Sequence, residues 1–116
     1  MLQLLPQSRI FVAIEPADFR KGIDGSSGVC RQHLERNPLD GAVYVFRNRA
    51  RTRFRVLVHD GQGFWLCTKR LSHGRLHWWP TSETASCPLS ARELAIFLWN
   101  GNPGAAAMAQ DWRQVA

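Results

Sequence analysis

The sequence predicts a single α+β domain, a mainly antiparallel sheet of about five strands with two helices packed on one face. Three observations carry that reading. The 116 residues suit one compact domain and leave little room for a second. Short runs rich in β-branched and aromatic residues recur between Arg9 and Trp79, separated by turn residues. Two other segments space their apolar residues at three and four, the period of a helix. Apolar residues at 45% and charged residues at 21% are ordinary globular usage, so a packed core is expected and wholesale disorder is not.

Arg9 to Ile14 reads RIFVAI and stops at Glu15-Pro16, a strand. Ile23, Ser27, Cys30 and Leu34 share a helical face, and Asn37-Pro38 supplies a stop, which predicts a first helix over Ser26 to Arg36. Val43 to Phe46, Arg53 to His59, Phe64 to Thr68 and Arg75 to Trp79 follow as four strands with short connections, an antiparallel meander. The turn Asp60-Gly61-Gln62-Gly63 closes one hairpin, with a positive φ expected at Gly61 or Gly63. Thr81 to Pro88 reads as a polar loop. Ser90-Ala91-Arg92-Glu93 matches a capping box and opens a second helix, Ala91 to Trp99. The domain is thus placed at 1–100, and 101–116 is an Ala-rich tail.

Charge is the informative part of the composition. Fifteen Lys and Arg against nine Asp and Glu give +6, and 13 of the 15 are Arg, with Lys only at 21 and 69. Guanidinium forks suit phosphate oxygens and guanine edges, so an anionic partner is expected. The charge is regional: from Gly41 to Ser82 the basic residues Arg47, Arg49, Arg51, Arg53, Arg55, Lys69, Arg70 and Arg75 meet one acid, Asp60, for +7. If Arg51 to His59 is a strand, alternation sends Arg51, Arg53 and Arg55 to one face and Phe54, Val56 and Val58 to the other. Such a ribbon can follow the phosphates of duplex DNA. The competing reading is a solvated face whose arginines pair with acids elsewhere.

DFRKGIDG at 18–25, VYVFRNR at 43–49, DGQGFWLCTKRL at 60–71, GRLHWWP at 74–80 and LSARELAIFLWN at 89–100 resemble, in order and spacing, the TnpB-type accessory proteins of IS-sixty-six-group bacterial insertion sequences. The likeness covers about residues 5 to 100. It implies a part in transposition beside a separate transposase and a further small protein of the same element. With the basic ribbon, the expected function is non-catalytic assistance that binds DNA, the ends of the element included, or the transposase and its companion protein. A protein adaptor that touches no DNA is the alternative, and self-association is left open.

Other chemistries have less support. Arg20-Lys21-Gly22 invites a phosphate contact near the start of helix one, but lacks Walker spacing, and helix-start chemistry explains it slightly better: Asp18 as a cap, Gly22 and Gly25 in backbone angles closed to other residues. A metal-dependent nuclease would need clustered carboxylates from Asp18, Asp24 and Asp60, with Glu15 and Asp40 behind them, and turn or cap roles account for these. His33, His59, His73 and His77 have no metal-ligand spacing, and Cys30, Cys67 and Cys87 form no CxxC, so no metal, cofactor or disulfide framework is expected. The expected locale is the cytoplasm, since no run nears the roughly 20 apolar residues of a membrane span. Core packing is the default for Trp65 and Trp99. On a strand, Trp78 and Trp79 would point to opposite sides.

Overall fold

The computed structural model describes residues 9–99, so the tail assigned to 101–116 lies outside the described residues. Five strands, β1 (Ile10–Ala13), β2 (Val43–Arg47), β3 (Arg53–His59), β4 (Phe64–Arg70) and β5 (Ser86–Leu89), form one sheet in the order β4-β3-β2-β1-β5. A 3-10 turn, Phe19–Lys21, leads into helix α1 (Gly22–Gln32), and α2 (Ala91–Leu98) follows β5. No described helix is long and apolar enough to cross a membrane.

The meander is real for β2, β3 and β4, which pair antiparallel in turn. The sheet as a whole is mixed, because β1 lies parallel to β2. Parallel neighbours need a crossover, and the 3-10 turn with α1 makes it. The fifth strand is not where the sequence suggested. Arg75 to Trp79 forms no strand, whereas Ser86–Leu89, within and just past the expected loop, pairs antiparallel with β1.

Alternation along the strands builds two cores, one on each side of the sheet. Ile10, Val12, Val43, Val45, Phe54 and Val56 face α2, whose Leu94 and Phe97 complete that cluster. Ala13, Tyr44, Phe46 and Leu57 face the other way, against Cys30 and Leu34. The helices therefore cover opposite faces, correcting the expectation of one shared face. Both sides of β2 are buried, which is why Val43-Tyr44-Val45-Phe46 is continuously apolar rather than alternating.

The segment after β4 drapes over the α2 side. The Leu71 amide donates to the Thr52 carbonyl at 2.9 Å and the Leu76 amide to the Arg51 carbonyl at 2.8 Å. Off a strand, both adjacent tryptophans reach the same core: Trp78 and Trp79 approach the Phe97 ring at 6.1 and 5.2 Å. The buried Trp79 indole N–H donates to the Ala13 carbonyl at 2.9 Å. Trp65 and Trp99, expected in the core, are 46% and 86% exposed. Trp65 lies on the edge strand and gives its N–H to Asp60 Oδ2 at 2.8 Å, while Trp99 sits past the last turn of α2.

Local chemistry sets the element ends. The α2 capping box forms as read, with the Glu93 amide donating to Ser90 Oγ at 3.1 Å and the Ser90 amide to Glu93 Oε1 at 3.0 Å. Helix α1 starts four residues before the expected Ser26 and ends at Gln32. Asp18 caps the 3-10 turn rather than α1, accepting the Arg20 amide at 3.0 Å. Gly22 has φ +57°, whereas Gly25 is needed for space: a Cβ there would stand 2.6 Å from the Lys21 Cβ. In the β3–β4 hairpin Asp60 Oδ1 accepts the Gln62 and Gly63 amides at 2.9 and 3.0 Å, and together with the Trp65 N–H they hold the carboxyl down at about 2. Gly61 carries the expected positive φ, +97°, and Gly63 does not. Gly61→Ala should therefore lower stability by about 1 kcal/mol, and Gly63→Ala should stay within about 0.5 kcal/mol, as read by paired urea unfolding.

Candidate nucleic-acid interface

β2 ends, β3 begins and β4 ends at the same end of the sheet, so the register gathers the basic run there. The β2–β3 connection is a built turn. Asn48 Oδ1 accepts the amides of Thr52 and Arg53 at 2.9 and 3.0 Å, and its Nδ2 donates to Thr52 Oγ1 at 2.9 Å. Asn48 stands between Arg47 and Arg49 and was not among the expected site residues. Its signal was the turn preference of an Asn whose side chain can bond backbone amides ahead of it. Arg49 and Arg51 are exposed on this turn, and Arg51 has φ +60°. Arg51 thus precedes β3 and does not share the strand face of Arg53 and Arg55.

Alternation holds for Arg53 and Arg55, which both face the α1 side, but their surroundings differ. Arg53 is exposed and stands opposite the equally exposed Arg70. The bonds from the Asp60 amide to the Gly63 carbonyl and from the Leu71 amide to the Thr52 carbonyl set the phase of this ladder. Arg53 and Arg70 consequently form a non-hydrogen-bonded pair, the closer kind, with Cα atoms about 4.5 Å apart. Arg55 is half-buried under the 3-10 turn. Its Nη2 donates to the Phe19 carbonyl at 2.6 Å, its Nε to Thr68 Oγ1 at 3.2 Å, and its guanidinium lies 4.2 Å from the Phe19 ring centre. Its Nη1 is buried with no hydrogen-bond partner, and burial lowers its pKa, with the Arg53 charge adding to the effect. Arg55 is therefore a tie between sheet and crossover, not a displayed cation.

Arg47 is also half-buried, on the α2 side, with its guanidinium 5.8 Å from the Trp79 ring centre and its Nε unpartnered. Desolvation lowers its pKa first, and the Arg51 and Arg49 charges follow. Lys69 also faces α2, donating to the Leu98 carbonyl at 2.6 Å, with its ammonium 5.6 Å from the Trp99 ring centre. Arg75 is exposed on the segment tied to the β2–β3 turn through Leu71 and Leu76. The Phe19 contact with Arg55 brings Arg20 and Lys21 to the same region. Arg20 turns back on Asp18, at 2.7 Å, and that ion pair holds the Asp18 carboxyl at about 2, while Lys21 is exposed.

The ion pairs among the described residues are Arg9–Asp40 and Arg20–Asp18. None of Arg47, Arg49, Arg51, Arg53, Arg55 or Arg70 pairs with a carboxylate among the described residues. The candidate nuclease carboxylates are not gathered either: Asp18 lies beside the 3-10 turn that covers Arg55, and Asp60 caps the hairpin beyond the far end of β3. Among the described residues no three His, Cys, Asp or Glu side chains are grouped to hold a metal ion.

The family model described as IS66 Orf2-like protein matches residues 8–106. Two curated relatives from Sinorhizobium fredii are similar. Uncharacterized protein y4hO is 37% identical over 90 residues, covering 78% of this chain and 77% of its own. Uncharacterized protein y4jC is 36% identical over 77 residues, covering 66% of each. No solved structure matches the chain.

Proposed function

The chain belongs to the IS66 Orf2-like family, and from that premise we propose that it assists transposition without catalysing it, by holding duplex DNA on the arginine-rich end of its sheet. The supporting observation is the Arg53–Arg70 pair. Like charges directly opposite one another on adjacent strands are destabilising, and among the described residues neither arginine has a carboxylate to offset the other. A phosphate between them relieves that repulsion and accepts from both guanidinium forks. Arg49 and Arg51 on the stiff Asn48 turn extend the contact along a backbone, with Lys21 and Arg75 at its margins. Arg55 and Arg47 act by positioning the surface, not by touching DNA.

A fluorescence-anisotropy titration against terminal-repeat and unrelated duplexes tests this. Affinity should fall steeply with salt, with a logarithmic slope near 0.9 per phosphate contact. Arg53→Ala with Arg70→Ala should weaken binding at least about tenfold and flatten that slope by about 2, with the melting temperature unchanged or raised. Salt-independent binding, or a double variant that binds as the wild type does, would refute the reading. Retained capture of purified transposase by the wild type alone would then reassign the arginines to a protein contact.

A further inference from the structure

The two outer strands of the sheet are β4 and β5, and they differ in how they meet solvent. β5 has four residues, Pro88 among them. The bond from the Ile14 amide to the Ala85 carbonyl sets the phase of the β1–β5 ladder, which places Pro88 at a non-hydrogen-bonded position opposite Phe11. Its donorless nitrogen therefore points outward, and that edge is blunted. β4 has seven residues and no proline. The phase already established turns the amides and carbonyls of Trp65, Cys67 and Lys69 inward to β3. Those of Phe64, Leu66, Thr68 and Arg70 point away from the sheet and pair with no other strand among the described residues, a template for another strand.

We propose that β4 pairs antiparallel with β4 of a second copy of this chain, about a two-fold axis at Cys67. Three features select this occupant and this register. First, Cys67 is the centre of the strand, so Phe64 meets Arg70 and Leu66 meets Thr68 of the second copy, and all four outward residues exchange both backbone bonds. Moving the axis to Thr68 sets Phe64 and Trp65 against residues past the end of the strand, and moving it to Lys69 opposes two ammonium groups. Second, Trp65, an indole that is 46% exposed and held in place by Asp60, meets the aliphatic stem of Lys69 of the second copy, whose ammonium stays on its own Leu98 carbonyl. Third, no arginine faces an arginine across the new seam. Cys67 occupies the non-hydrogen-bonded centre, where Cα atoms lie about 4.5 Å apart, within reach of a disulfide. The axis stands perpendicular to the sheet, so both α1 faces share one side and the two Arg53–Arg70 pairs lie about 20 Å apart along the strand direction. The pairing stands independently of DNA binding.

Sedimentation equilibrium of the reduced protein in the absence of DNA should give twice 13.2 kDa at tens of micromolar. Cys67→Arg replaces an exposed side chain, so it should leave the circular dichroism unchanged while opposing two guanidinium groups on the axis, and it should weaken association at least tenfold. Diamide supplies a geometric check. Two Cys67 thiols give one disulfide, and their two electrons and two protons pass to diamide. A covalent dimer should form in the wild type and in Cys87→Ser, and be absent in Cys67→Ser. A monomeric wild type, an undiminished Cys67→Arg dimer, or cross-linking that survives Cys67→Ser would overturn the proposal.

Discussion

Phe97→Ala is expected to cost the domain about 3–5 kcal/mol, a large share of the roughly 5–15 kcal/mol that holds a domain of this size together. Phe97 is 1% exposed and joins three segments distant in sequence. Its ring lies 5.0 Å from that of Phe54 on β3, 6.1 Å from Trp78 and 5.2 Å from Trp79, so removing it leaves a cavity among side chains that cannot all close in. The Trp79 anchor to the Ala13 carbonyl loses its packing support as well. Urea unfolding followed by tryptophan fluorescence measures the loss. Phe97→Leu, which keeps most of the volume, should recover more than half of it. A Phe97→Ala protein within 1 kcal/mol of the wild type would show that α2 does not close this core.

Asn48→Ala carries the second large effect, about 2 kcal/mol, because its side chain makes three hydrogen bonds within one turn, each with a net value of about 0.5–1.5 kcal/mol. The same turn holds Arg51 at φ +60°, a conformation costing a non-glycine residue about 1 kcal/mol. Arg51→Gly should therefore raise stability, opposite in sign to Asn48→Ala. Denaturation of the two variants side by side reads the signs, and DNA titration adds a second axis. Asn48→Ala should weaken binding through a loosened turn, and Arg51→Gly through a lost cation on an intact one. If Arg51→Gly is less stable than the wild type, the guanidinium contributes to the fold and its place in the interface fails.

Much of the fold was legible because local patterns agreed with the tertiary outcome. The apolar runs at β1 to β4, the Asp60–Gly63 turn and the Ser90 capping box all depend on neighbouring residues, and all formed. The candidate site was legible as a region and not as a set of equivalent residues. Period-two alternation placed Arg53 and Arg55 on one face, yet it could not tell that the Phe19 carbonyl would take Arg55 out of solvent while Arg53 stayed in it.

What the sequence determined by itself was therefore local: periodicity, turn chemistry, the capping box and the regional excess of positive charge, each governed by bonds spanning a few residues. The tertiary structure decided which run became the fifth strand, Ser86–Leu89 rather than the tryptophan segment: Ser86–Leu89 pairs with β1, while Trp79 is buried in the α2-side core with Trp78 packed against it. It decided that the helices take opposite faces, since a parallel β1–β2 pair demands a crossover on one side and leaves the other apolar side for α2 to cover. It also sorted the arginines, because exposure depends on what packs overhead, and that covering comes from residues as far as 36 positions away.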